Sequence, residues 1–488
     1  MSLSARPAVG FSITAIKPNG TIQALLVIAA MAAGFLWSSG HDDQRCVELG
    51  LLALLVPFIV MRCDAADTIA GMNPAARLCL GAFFAIGAIS SLNAWSPAHA
   101  VYEWSMLLLL LLAAASLATG LGRAGGSGLM AVLQCAGAVG ALYSLRVVLL
   151  YAASLSAGHQ LDMQALGVGF SNIRFFNHVQ TVLLPLIVLL HLQAPKRSVL
   201  RWAWFALAAF WWALLFVSEA RASILALGAG CAMVLVVRRA HARSFLKAMA
   251  LTALAGGIVY VLGFILLPML AGLRPFDAAS NVLQRTAADP TSRRSLLWLL
   301  SFDLIAAHPL LGAGPQHFAH YGATLSWGAH PHNFVLQIGA EWGLPALLCL
   351  LGAIGIGLRG LVRSGDRIAA SDQGGQQILA VLLATGAAIL VDGLFSGVVV
   401  MPESQMAIVL YLGWAAGWVR SLSNTAAPRS SATLRWLIAG LALAAAAGLA
   451  LAVAPSIVGH ALHEPLTPAE LAVNPKTHWP RLWVAGYF

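Results

Sequence analysis

The sequence predicts an all-α, polytopic integral membrane protein of 12–13 transmembrane helices, with a long outer loop before the tenth span. Three observations carry that prediction. Of 488 residues, 60% are hydrophobic and only 9% are Asp, Glu, Lys or Arg. Soluble domains carry roughly 25% charged residues, so this chain must be solvated mostly by lipid. Apolar runs of bilayer length recur along the chain. The basic residues then fall preferentially on alternate connecting segments, as the positive-inside rule requires.

In order, the apolar runs fall near 21–37, 47–61, 78–94, 103–120, 129–151, 177–193, 200–217, 222–237, 249–270, 334–358, 376–395, 401–419 and 435–455. The first is not uniformly hydrophobic, and the twelfth opens on Met401-Pro402-Glu403. With residue 1 cytoplasmic, 18 of the 28 Lys and Arg lie on the cytoplasmic segments. That distribution accounts for the net charge of +10 without calling on nucleic acid. The clusters Arg238 to Lys247 and Arg359 to Arg367 both fall inside, which leaves the segment between them outside. The organisation expected is a membrane domain, 1–455, that includes an outer loop at 271–333, followed by an outer tail, 456–488. Near the N-terminus no short apolar stretch precedes a small-residue cleavage site, so no removable signal peptide is expected. The six Cys are scattered without metal-site spacing and read as small core residues.

Polar residues on the outer side need a reason to be there. The stretch 167–187 leads Asn172, Arg174, Asn177, His178 and Gln180 into a span, with the last three expected in its first turn. Free N–H groups at a helix start favour an anion, although Phe and Arg there also suit an interfacial anchor. SEARAS, 218–223, places Arg221 in a tight outer turn, where it pairs either with Glu219 or with a buried phosphate or carboxylate. In the long loop, 292–307 reads as an amphipathic helix lying on the membrane, broken by Arg293, Arg294 and Asp303. At 330–348, Pro331 suits a helix's first turn, and Asn333, Gln337 and Glu341 recur at intervals of four along one face. That stripe, with His330, is expected to line a substrate-binding cavity. His332, beside the helix start, is expected to be neutral and able to accept a proton from a sugar hydroxyl. Both histidines also suit a purely structural role in capping that helix. His308, His317 and His320 form no recognised metal pattern.

Arginines that grip a pyrophosphate through paired contacts, together with a neutral imidazole, fit glycosyl transfer from a polyprenyl diphosphate. Hydrolysis uses the same groups. Here the chain resembles the bacterial O-antigen ligase and polymerase superfamily of membrane glycosyltransferases. Its ligase motif is His, then Asn, Ser or Gln, nine residues, Gly, two residues, and Gly, Thr or Tyr. His332-Asn333 is followed by residues 334–342, then Gly343, Leu344, Pro345 and, departing from the pattern, Ala346. Glu341 matches the acidic residue two before that glycine. HPLLGAGPQHF, 308–318, is similar to the family's HPLLGxGxxxF segment, Arg221 falls at the outer-turn arginine, and NIRFFNH, 172–178, is similar to an element that supplies Arg174. The resemblance covers roughly 165–420.

The resemblance implies a transmembrane glycosyltransferase domain in the bacterial inner membrane with its site facing the periplasm. It implies an undecaprenyl-diphosphate-linked glycan as donor and metal-independent, inverting transfer with no cofactor. The acceptor is a lipid A-core sugar for a ligase, a second lipid-linked glycan for a polymerase, or protein Ser or Thr for an oligosaccharyltransferase relative. By resemblance Arg174, Arg221 and one of Arg293 or Arg294 bind diphosphate, and His332 acts on the acceptor. Membrane lipids are the other partner expected. Members commonly carry 12 spans, whereas 13 runs are counted here. The competing class is a transporter of lipid-linked glycan, which should show inverted repeats; no clear internal repeat is present.

Overall fold

In lipid, an apolar segment must satisfy its own backbone N–H and C=O groups, and a helix is the way a single segment does so. The computed structural model describes residues 18–288, 291, 294–320, 328–422, 429–461 and 481–483, and all thirteen expected runs lie on helix. No strand occurs among the described residues. The helices are α1 (Pro18–Leu36), α2 (His41–Arg62), a short α3 (Asp64–Ala70), α4 (Pro74–Leu92), α5 (Pro97–Ser156), α6 (Ile173–Gln193), α7 (Val199–Val217), α8 (Arg221–Val237) and α9 (Arg239–Tyr260). A π-helical turn, Val261–Leu266, carries α9 on to Leu270. Two helices follow in the connecting region, α10 (Ala278–Ala288) and α11 (Arg294–Ala307). The chain closes with α12 (Phe334–Trp342), α13 (Leu344–Ser364), α14 (Gln373–Gly393), α15 (Pro402–Ser421) and α16 (Ala432–Ala461).

Among the described residues, nine helices are long and apolar enough to cross a membrane. Of these, α5 is 60 residues long, about 90 Å if straight, against a hydrocarbon thickness of about 30 Å. It bends at Gly125, whose φ of 70° is open to glycine, and so supplies two of the expected runs. Its two arms reach the same end of the bundle. Met106 in the first arm touches Arg45 at the start of α2, while Arg146 in the second donates to the Phe35 carbonyl at the end of α1 (2.7 Å). The remaining expected runs fall on α1, α8 and α15, which are shorter or less apolar.

Burial follows the hydropathy pattern. Helix α6 is the innermost, buried from Phe176 to His191 and packed against α7, α14 and α15. Outward-facing leucines such as Leu254, Leu262, Leu270 and Leu451 give the bundle its apolar surface. Charged side chains sort to the two ends. At one, Asp64 pairs with Arg123 (2.6 Å) and Arg62 (3.3 Å). At the other stand Arg45, Glu103, Glu219, Glu341 and Arg481.

The tenth expected run, 334–358, is not one helix. It breaks at Gly343 (φ 88°) into α12 and α13. The cause is the preceding 308–314 turn, which is laced onto the end of α12. Ala313 N–H donates to the Ala340 carbonyl (2.9 Å), Gly314 N–H to the Glu341 carbonyl (2.9 Å), and Leu344 N–H to the Pro309 carbonyl (2.9 Å). Glycines make this approach possible. A Cβ on Gly343 would lie 2.3 Å from the Leu310 carbonyl oxygen, and one on Gly312 (φ 69°) 2.3 Å from the Glu341 carbonyl carbon. Trp342 completes the corner by stacking on Phe83 of α4, centroids 4.6 Å apart.

Two smaller expectations also shift. Helix α6 begins at Ile173, capped by Asn172, so Arg174 occupies its first turn and Asn177, His178 and Gln180 lie deeper and buried. Pro331 precedes α12 instead of opening it, because Asn333 is the cap: its Oδ1 accepts from the Val335 and Leu336 N–H groups (3.0 and 3.1 Å). The amphipathic helix expected at 292–307 is found as α11, which buries Leu297, Leu300, Ser301 and Leu304 against α12 and its turn while Leu299 and Phe302 face outward.

Gly343→Ala is expected to destabilise the protein by at least about 2 kcal/mol, from positive φ and backbone overlap together. A melting temperature in detergent equal to that of the unaltered protein would contradict the lacing described here.

Candidate active site at one end of the bundle

Glu219 organises the first half of the site. It sits between α7 and α8 with φ of 56°, a left-handed conformation that non-glycine residues rarely adopt. That turn presents two different acceptors. The Glu219 carbonyl accepts from Arg174 Nη1 (2.5 Å), and its carboxylate pairs with Arg285 Nη1 of α10 (2.6 Å). The Glu219–Arg221 pair considered from sequence is not the one formed: Arg221, the first residue of α8, donates to Thr286 Oγ1 of α10 (2.7 Å). The half-buried Arg174 lies in the electrostatic field of Arg285, Arg221 and Arg294. Guanidinium groups from α6, α8 and α10 therefore gather around one turn, with Arg294 of α11 in electrostatic reach of Arg174, an arrangement suited to a multiply charged anion. Arg293 lies outside the described residues.

The second half is the segment 328–333 that enters α12. His332 has φ of 54°; such strain, of order 1–3 kcal/mol, persists where surrounding contacts impose it. Those contacts are clear. His332 N–H donates to His330 Nδ1 (3.2 Å), the two rings lie 4.1 Å apart, and Trp298 of α11 donates to the Pro331 carbonyl (3.2 Å). His332 is half-buried. Burial, followed by the positive charges of Arg294 and His178, pushes its pKa down to about 3. His330, fully enclosed, is also held well below the ordinary imidazole range, by burial first and then by His332 and Arg481. The neutral state expected from a helix dipole is thus secured chiefly by burial.

Asp392, which stands beside His178, is a functional candidate that sequence reasoning passed over. His178 Nδ1 lies 3.7 Å from Asp392 Oδ2, and that same oxygen accepts from Thr181 (2.6 Å) and Ser223 (3.3 Å). Asp392 is completely buried near the end of α14. The signal that finds it is simple: a lone carboxylate in the apolar run AILVDGLF, where an ionisable residue is costly unless it has a task.

The polar stripe on α12 has partners of its own. Asn333 caps the helix, Gln337 donates to Glu103 (3.5 Å), and Glu341 accepts from Phe318 N–H (2.8 Å) and from Arg481 (2.7 Å). The structure brings His330 and His332 near Arg294 and His178, gathers Arg174 and Arg221 around Glu219, and places Gln337 and Glu341 deeper, against α5. Among the described residues no group of three or more His, Cys, Asp or Glu is arranged to hold a metal ion.

An arginine-rich turn beside a neutral histidine pair, at one end of a helical membrane bundle, is suited to a multiply charged anion. Residues 204–351 match the family model described as O-Antigen ligase, a range that holds Arg221, Arg285, Arg294 and His332. That match agrees with the superfamily that the sequence motifs resemble, and it covers the stretch from α7 to α13. No curated protein matches the sequence.

The unfolded imidazole titrates near 6.5 and the folded His332 near 3, so the unfolded state binds the extra proton between those values. Stability from neutral His332 is fully present above pH 6.5 and is lost as pH falls toward 3. Melting temperature measured across that range should fall on acidification, and His332→Gln should make the fall shallower; an unchanged slope would mean that the ring is not protected from protonation.

Proposed function

We propose that this protein is an O-antigen ligase: a membrane glycosyltransferase of the bacterial inner membrane that moves a glycan from undecaprenyl diphosphate to a hydroxyl of a lipid A-core sugar at the periplasmic face. The single observation that carries this reading is the neutral, strained His332 beside Arg294, next to the arginines around Glu219. In this reading Arg174, Arg221 and Arg294 grip the diphosphate, and Arg285 adds to the same field. Paired guanidinium contacts stabilise the negative charge that builds on the departing group. The acceptor oxygen attacks the anomeric carbon from the opposite side, and the bond to the diphosphate oxygen breaks. The diphosphate leaves with that electron pair. The acceptor proton passes to neutral His332, which a protonated imidazole would be unable to accept. Inversion at the anomeric carbon follows from a single displacement, and the step uses no metal.

The rest of the neighbourhood supports these roles. His178, 3.7 Å from Asp392, stands where it influences the charge on His332, while Asn333, Gln337 and Glu341 fix the helix that presents it. A polymerase or a protein oligosaccharyltransferase would run the same displacement on another hydroxyl, so acceptor trials decide between them.

In transfer assays with purified lipid-linked glycan and lipid A-core, His332→Ala should lower turnover by roughly 10²–10⁴-fold with membrane insertion intact. Near-normal turnover would remove the imidazole from the reaction. Arg221→Lys should weaken donor use markedly, because a point ammonium cannot reproduce the planar fork; donor KM and kcat within about twofold of the unaltered enzyme would exclude Arg221 from diphosphate binding. Full activity in the presence of a chelator is expected, and complete loss would sink the metal-free step. Transfer to a second lipid-linked glycan or to a Ser- or Thr-bearing protein, with none to lipid A-core, would reassign the acceptor.

A further inference from the structure

The C-terminal turn Arg481–Trp483 has no role in the reaction above, yet it is seated inside the helix bundle. Arg481 is 1% exposed and Leu482 6%. The Arg481 guanidinium reaches three elements at once. It meets both carboxylate oxygens of Glu103 on α5 (2.8 and 3.2 Å), both of Glu341 on α12 (2.7 Å to the first), and the Ala329 carbonyl (3.2 Å). Its backbone is gripped from the other side. Arg45 of α2 donates to the carbonyls of Arg481 (3.0 Å) and Leu482 (3.1 Å), and His41 Nε2 lies 3.2 Å from the Leu482 carbonyl. Arg45 is itself fully buried and paired with Glu48.

These contacts bear on one unit. Ala329 precedes His332 in the chain and Glu341 follows it, so a single side chain ties both flanks of the histidine-bearing segment to α5. Gln316 and Gln337 also donate to Glu103, which brings the 308–320 turn and α12 to the same carboxylate. A guanidinium suits this place because its flat fan of five N–H donors can serve two carboxylates and a carbonyl together, which an ammonium cannot do with the same geometry.

We propose that Arg481, delivered by the C-terminal tail, is a positioning residue that holds the His332 segment in register for the reaction. The role rests on the reading of His332 as the group that acts on the acceptor. Because Arg481 bears on that segment and not on the arginines around Glu219, its loss slows turnover and leaves donor binding in place.

Two measurements test this. The first is independent of activity: Leu482→Cys and Ser39→Cys are labelled in detergent with a bulky hydrophilic maleimide, after subtraction of labelling of the unaltered chain. Ser39 is exposed at the α1–α2 turn and serves as the open control. Labelling of Leu482→Cys is expected at less than about a tenth of that control, as for a packed interior position, and should rise when Arg481→Gln is added. Equal labelling overturns the seating of the tail. The second is kinetic. Arg481→Gln should lower kcat by at least about tenfold, the scale of an ångström-level misplacement, while donor KM moves less than about threefold. Arg481→Lys, which keeps the charge and is the comparison to use if the glutamine variant does not accumulate, should recover part of kcat. An unchanged kcat in Arg481→Gln, or a loss confined to donor KM, overturns the positioning role. If Leu482→Cys is shielded but the unaltered chain transfers glycan to no hydroxyl acceptor, the transferase reading fails instead, and the buried seat of the tail stands as structure alone.

Discussion

The hydrogen bonds from Ala313 and Gly314 to the carbonyls of Ala340 and Glu341 constrain much of what surrounds them. The last carbonyls of a helix have no partner within it, and here two of them are taken by a turn from another part of the chain. The helix stops at Gly343, and α13 restarts in a new direction. A short α12 is thereby fixed at the bundle end with Asn333 at its start, which holds the preceding histidines close to α11. Continuous helix from 334 to 358 would have left those carbonyls to the next turn of helix and the 308–314 segment without an anchor.

Electrostatics then act on that frame. Of the four described non-glycine residues with positive φ, Glu219, Gln316 and His332 all lie at the site end. Each is held by several directional contacts, the usual condition under which backbone strain survives. The buried Glu103–Arg481–Glu341 group works the same way. Buried ion pairs add little net stability when complete, but removing one partner costs roughly 3–5 kcal/mol because a charge is then left in the interior. Such a group resists rearrangement more than it contributes affinity between helices. The exposed Arg285–Glu219 pair, half open to solvent on its arginine side, is worth far less as a structural bond.

Features set by local physics are legible in the sequence. Hydropathy placed helix at every expected run, and the polar outliers Arg174, Arg221, Arg294, His330 and His332 do collect at one end of the bundle. Features set by distant partners are less legible. The intervals of four among Asn333, Gln337 and Glu341 correctly put them on one helix face, but periodicity says nothing of what that face meets. In the structure it meets a backbone cap, Glu103 and Arg481. Asp392 was passed over because a single carboxylate hardly alters the mean hydropathy of its helix. Nothing near Arg481 in sequence predicts its burial, because its partners Glu103 and Glu341 lie far away in the chain.

The sequence alone determined that the chain crosses a membrane repeatedly as helices, since a composition with so few charges has no other solvent, and that a histidine and several arginines stand apart from the basic residues of the opposite face. The tertiary structure decided which of those groups meet. It broke the tenth run at Gly343, paired Glu219 with Arg285, set His178 against Asp392 and drew Arg481 into the interior. Each of these depends on contacts between residues distant in the chain, where burial and backbone direction, and not composition or period, select the partner.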